Sequence, residues 1–154
     1  MHLFVDPFAK EEFADQIGSE AHRAVARQAV RESLVLLKSE NETLPLSVSD
    51  KLAVIGVHGN NSGLQSGGWS IHWQGQSESY LGATTIYAGI SAVAKDVEYA
   101  ENGCYSGMAA DKAIVVVGEN PYAEAAGDSD ELWLTDEHKG LIQGCKDLGK
   151  KVIV

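Results

Sequence analysis

Two apolar runs limit what this chain can fold into. Leu52 to Val57 reads LAVIGV and Ala113 to Gly118 reads AIVVVG. Both are continuous in apolar character and rich in β-branched residues, as strands covered on both faces are. A third run, Val152-Ile153-Val154, follows Lys150-Lys151. Segments of helical period stand before and between them. Ser19 is placed to cap a helix over Glu20 to about Glu32, with Ala21, Val25, Ala29 and Val30 on one face. Thr84 to Lys95 also reads as helix. Thr135 caps another from Asp136 to Leu148, which Gly149 ends. Weaker signals predict a short helix over 7–17, a strand at Ser33–Lys38 (SLVLLK), a turn at Glu40–Pro45, a strand at Val97–Ala100 and a short helix from Ser106 to about Ala110.

This alternation predicts an α/β fold, a three-layer α/β/α sandwich around a mostly parallel, flavodoxin-like sheet. Residues 1–18 read as a linker with a short helix, and residues 19–154 as a partial sandwich domain, incomplete at its C-terminus. The closing apolar run would otherwise leave a sheet edge and a core face unfinished, so a longer parent polypeptide is expected. Ligands of such sheets gather at the carboxyl ends of the strands. Two irregular loops start there, His58–Gly82 and Glu119–Leu134, and should share one rim.

Composition removes several function classes. A net charge of −10 would be repelled by a phosphate backbone, so no nucleic-acid partner is expected. No run approaches the ~18–20 apolar residues of a membrane helix, so no membrane partner is expected either. The histidines (2, 22, 58, 72 and 138) show no ligand spacing, and no metal or cofactor is expected. Gly56, Gly59 and Gly63 lack the spacing and the following helix of a dinucleotide loop. Cys104 and Cys145 form no CxxC pair. They read as free thiols, with a single disulfide as the other option.

The first loop carries the stronger chemical signal. Its segment GLQSGGWSIHWQG sets Trp69 and Trp73 four apart among glycines and amides. Two indoles can be core anchors. Beside Gln65, His72 and Gln74, they also match a pyranose, which offers an apolar C–H face fringed by hydroxyls. The second loop, GENPYAEAAGDSDE, holds Glu119, Glu124, Asp128, Asp130 and Glu131. Asp130 and Glu131 read as solvated. Glu119 directly follows a strand and is expected to be partly buried. Glu124, behind Pro121-Tyr122, is the candidate general acid.

Together these segments resemble the second domain of glycoside hydrolase family 3, in its exo-β-glucanase and β-glucosidase branch. The resemblance starts near Leu3-Phe4 and Asp6-Pro7 and continues through AHRAVARQAVRESLVLLKSE and Leu44-Pro45-Leu46. It is sharpest at GGW-x-x-x-WQG and GE-x-PYAE-x-x-GD. It implies a retaining glycosidase in which a preceding (β/α)8 barrel supplies an aspartate nucleophile and this domain supplies the acid/base. Glu124 in PYAE matches that acid/base, Trp73 in WQG an aromatic clamping the leaving-group sugar, and Trp69 in GGW an outer aromatic. No residue here matches the nucleophile. The chain departs from the family at Gly59-Asn60, where an acid is common. The implied partners are a β-glucan or β-glucoside and the barrel of the same polypeptide. Self-association through the face the barrel would cover is a further expectation. The family's habits suggest secretion or periplasmic residence. The competing classes are a non-catalytic carbohydrate-binding module and a flavodoxin-like nucleotide binder.

Overall fold

A computed structural model describes residues 4–154. Leu3, where the resemblance starts, lies outside the described residues. The described chain divides into two units, up to Glu40 and from Asn41 onward.

The first unit holds a 3-10 helix over Glu11–Gln16 and helix α1 over Glu20–Ser33. Ser19 caps α1 as expected, its Oγ accepting from the His22 N–H at 3.3 Å. No residue of α1 is buried, so the Ala21/Val25/Ala29/Val30 face is exposed. The expected strand at Ser33–Lys38 does not form. Leu34 is extended but pairs with no described strand, and Leu34, Val35, Leu36 and Leu37 are exposed. An apolar run becomes a strand only when another edge takes its hydrogen bonds.

The second unit is the sandwich. Four parallel strands, β1 (Lys51–Ile55), β2 (Asp96–Ala100), β3 (Lys112–Val115) and β4 (Lys151–Ile153), lie in the order β2-β1-β3-β4. Helices α2 (Ser62–Ser66), α3 (Ile86–Ser91) and α4 (Asp136–Asp147) accompany them. The order carries its own consequence. The chain leaves β1 toward one edge and leaves β3 toward the other, so right-handed crossovers put α3 and α4 on opposite faces. The period of two along the strands serves both layers. Ala53, Ile55, Ala113 and Val115 pack with Met108, Ala110 and Cys145 on the α4 face. Thr135 caps α4, its Oγ1 accepting from His138 N–H at 3.2 Å. Paired bonds from Gly149 N–H to Lys146 O and Lys150 N–H to Cys145 O then close the helix.

Two expectations are corrected here. Ser106–Ala110 is not helical: Gly107 sits at φ +91°, outside any helix, and the segment crosses the sheet as an irregular connection. Cys104 and Cys145 are not free thiols but a disulfide. Cys104 lies in that connection and Cys145 faces the sheet from α4, which brings their Cα atoms to 5.1 Å. At the start of β3, Lys112 Nζ donates to Asp50 Oδ2 at 2.7 Å. That bond, with the Ser47 N–H, holds the Asp50 carboxyl below its ordinary range.

The bridge closes a loop of 41 residues in sequence separation. Chain-entropy arithmetic gives such a loop about 4 kcal/mol, as an upper figure. Reduction, or Cys104→Ala with Cys145→Ala, is therefore expected to lower stability by about 2–4 kcal/mol. Urea unfolding with and without reductant checks this; coincident midpoints would show that the bridge carries no stability.

Candidate functional site

The two sequence-predicted loops leave β1 and β3, which are hydrogen-bonded neighbours. They start where the crossovers part, the position at which open parallel sheets form a crevice. His58 joins their bases. The residue is 7% exposed, and its ring packs on Gly118 with Nε2 3.2 Å from the Glu119 carbonyl oxygen. A carbonyl only accepts, so Nε2 carries the proton and donates. The His138 ring of α4 meets it edge-on at 6.0 Å. An isolated histidine without ligand spacing gave no sequence signal for this linking role.

The first loop is ordered by its small polar side chains. Asn61 caps α2 through Oδ1 to the Leu64 N–H at 3.0 Å and donates from Nδ2 to Ser77 O at 2.6 Å. Buried Ser62 accepts the Tyr80 N–H at 2.8 Å, and the Tyr80 hydroxyl donates to Ser70 O. Asn60, at the family departure, accepts from Thr85 Oγ1 at 2.9 Å.

The tryptophans flank a tight turn. The Trp69 N–H donates to Trp73 O at 3.0 Å, and the His72 N–H donates to Ser70 O at 2.7 Å around Ile71. Trp69 and Ile71 are held at φ +59° and +61°. Left-handed backbone costs a non-glycine residue about 1–2 kcal/mol, more where the side chain is β-branched. The indoles are 71% and 55% exposed, so neither is a core anchor.

The second loop lies against this turn. A Cβ on Gly68 would stand 2.0 Å from the Tyr122 carbonyl oxygen, and one on Gly75 would stand 2.7 Å from Pro121 Cβ. Only glycine admits such approach. Across the same contact, Gln74 Oε1 accepts the Ala123 N–H at 2.8 Å, and its Nε2 donates to Ala123 O at 3.3 Å. The next residue is Glu124, exposed, at φ +55°, opening a 3-10 turn over Glu124–Gly127. The site thus brings Trp69, Trp73 and Glu124 onto interlocked loops.

The two candidate glutamines are placed differently from the indoles. Gln65 donates to the His58 carbonyl, and Gln74 is engaged with Ala123. Both amides bond backbone within the chain. Glu119 is exposed, not partly buried as expected, and its carboxylate accepts from the Tyr122 hydroxyl at 2.7 Å. That hydrogen bond and charge push the Tyr122 phenol above its ordinary range. Asp130 and Glu131 are exposed, as expected. Among the described residues, no three His, Cys, Asp or Glu side chains cluster closely enough to hold a metal ion. No helix among them is long and apolar enough to cross a membrane.

The sequence model described as the glycosyl hydrolase family 3 C-terminal domain matches residues 34–154. The chain belongs to this family. Both loops of the site fall inside the matched region. A lysosomal beta glucosidase of Dictyostelium discoideum is 28% identical, over 99% of this chain and 22% of its own length. The crystal structure of an exo-1,3/1,4-beta-glucanase from a Pseudoalteromonas species aligns with a TM-score of 0.79 and 37% identity, over 88% of this chain and 18% of that one. A beta-glucosidase from Listeria innocua, solved in complex with glucose, has the same fold at TM-score 0.80 and 24% identity, over 97% of this chain and 22% of that one. The chain thus spans under a quarter of the length of each of these relatives.

The glycine contacts make the docking of the loops testable. Gly68→Ala is expected to push residues 121–124 away from the tryptophan turn, leaving β1 and β3 intact. Amide exchange should rise about tenfold or more across 121–124, a change near 1.4 kcal/mol, with Leu52–Ile55 unchanged. Unchanged exchange at 121–124 would contradict the contact.

Proposed function

We propose that this chain is the acid/base domain of a retaining β-glucosidase or exo-β-1,3(1,4)-glucanase. The enzyme would release terminal non-reducing β-D-glucosyl residues from a β-glucan or β-glucoside. The observation that carries this reading is the joint placement of an exposed carboxyl, Glu124, and an exposed indole, Trp73, on loops locked together at the sheet rim. The named activities of the relatives support the substrate class. The disulfide agrees with an oxidising compartment.

The chemistry needs a second lobe. Retaining glycosidases use two carboxyls roughly 5–5.5 Å apart. One attacks the anomeric carbon as the other protonates the departing oxygen; the second then takes a proton from the water that releases the sugar. In this reading a (β/α)8 barrel of the same polypeptide carries the aspartate nucleophile and covers the rim. Glu124 gives and then recovers the proton. Trp73 clamps the leaving-group sugar against its apolar face, and Trp69 serves an outer position. The proton donor must stay protonated near neutral pH, which takes exclusion of water or a nearby carboxylate. A closing barrel would bring both.

Two measurements follow. The 154-residue chain alone is expected to release no p-nitrophenol from p-nitrophenyl β-glucoside above background, and robust turnover would refute the division of the site. Tight binding of cello- or laminari-oligosaccharides by the isolated chain, read by tryptophan fluorescence, would instead favour a binding module. In the full-length polypeptide, Glu124→Gln is expected to cost about 10²-fold or more on substrates with poor leaving groups and little on dinitrophenyl glucosides. Equal loss on both would remove Glu124 from the acid role.

A further inference from the structure

Gln74 sits beside Trp73, where an amide could be expected to bond a sugar hydroxyl. Its geometry indicates another task. Both polar ends of its side chain are committed to one residue 49 positions away: Oε1 to the Ala123 N–H and Nε2 to the Ala123 carbonyl. The arrangement copies a pair of strand hydrogen bonds, with a side chain in place of the second backbone. Ala123 is 5% exposed, and its methyl group offers no polar anchor of its own. The residue that follows is Glu124, in left-handed backbone, and the 3-10 turn it opens has no side-chain cap. Such a conformation persists only where the surroundings impose it.

Gly68 also packs against the Ala123 methyl group, but the other hydrogen bonds described for this loop do not reach Ala123. The His58–Glu119 bond fixes the base of the loop, five residues before Glu124. The Tyr122–Glu119 bond is exposed and internal to the loop. The approach of Gly68 to the Tyr122 carbonyl sets a distance but supplies no hydrogen bond. Gln74 holds the residue immediately ahead of Glu124.

We infer that Gln74 is a positioning residue for Glu124, its amide clamping the Ala123 backbone so that the neighbouring carboxyl is presented in one orientation. This deepens the acid/base reading and rests on it. One dipeptide then serves both halves of proton donation: Trp73 faces the sugar, and Gln74 holds the donor's backbone. A misoriented donor matters most when the leaving oxygen needs a proton, and least when the leaving group departs unaided.

The test uses Gln74→Met, which keeps the side-chain length without the amide, in the full-length polypeptide. The kcat/KM for alkyl β-glucosides is expected to fall about tenfold or more, with less than about a threefold loss on dinitrophenyl β-glucoside. The retained activity on the activated substrate also reports a folded enzyme. Amide exchange at Ala123 should rise while β1 and β3 stay protected. Gln74→Glu, which keeps the acceptor toward the Ala123 N–H, covers a methionine variant that does not fold; the same bias is expected to a smaller degree. An equal loss on both substrate types, or an Ala123 amide as protected as in the parent, overturns the inference. If Glu124→Gln itself shows no leaving-group bias, the acid assignment fails separately. The clamp is then decided by Ala123 exchange alone, freed in support or protected in refutation.

Discussion

The pairing of β1 with β2 on one side and β3 on the other is the constraint on which the site depends. All these strands are parallel, so each needs a crossover, and the crossovers from β1 and β3 leave for opposite faces. The segments that follow the two strand ends therefore diverge above the sheet. Both carry glycine, serine and asparagine where a continuous helix would otherwise begin. What diverges at the sheet is rejoined above it by side chain–backbone bonds, His58 to Glu119 and Gln74 to Ala123. A rigid floor with a cross-braced rim is how a sheet of four short strands holds long loops in place.

The cost of that rim is visible in the backbone. Trp69, Ile71 and Glu124 all have positive φ, at about 1–2 kcal/mol for Trp69 and Glu124 and more for the β-branched Ile71. None is a glycine, although the chain uses glycine freely nearby. A sequence selected only for stability would place glycine or asparagine at such positions. An indole and a carboxyl instead occupy two of them, and both are exposed, so burial does not offset the strain. The structure as a whole carries it, as expected where a side chain's identity matters more than its local comfort.

The parts of the fold legible in the sequence are those fixed by local chemistry. LAVIGV and AIVVVG became β1 and β3 because β-branched apolar runs suit a sheet covered on both faces. Ser19 and Thr135 cap the helices they precede because a hydroxyl there meets an otherwise unpaired N–H. What misled was anything decided by a distant partner. SLVLLK has strand composition but joins no described strand. Cys104 and Cys145 are bonded because the β2–β3 connection and α4 cover the same sheet face, which their spacing does not reveal. Trp69, Trp73 and Glu124 stand out in the sequence by residue type and loop context. The cross-links of the site, through His58 and Gln74, were invisible because each pairs with backbone, and backbone has no sequence signature.

That last distinction bears on how a divided active site can work. If proton donation is shared between two lobes, the donor must arrive at a place its own lobe does not define. A flexible donor would lose conformational entropy in every closed state, at roughly 1–2 kcal/mol per backbone residue fixed. A donor whose backbone is already fixed by Ala123 and Gln74 incurs that loss on folding instead, and only its own side-chain rotation remains. The indoles likewise stand on a hydrogen-bonded turn rather than on a loose loop. Preorganisation on this lobe is worth most when the other lobe supplies the nucleophile, because errors in placement add across the interface and proton transfer tolerates little of either.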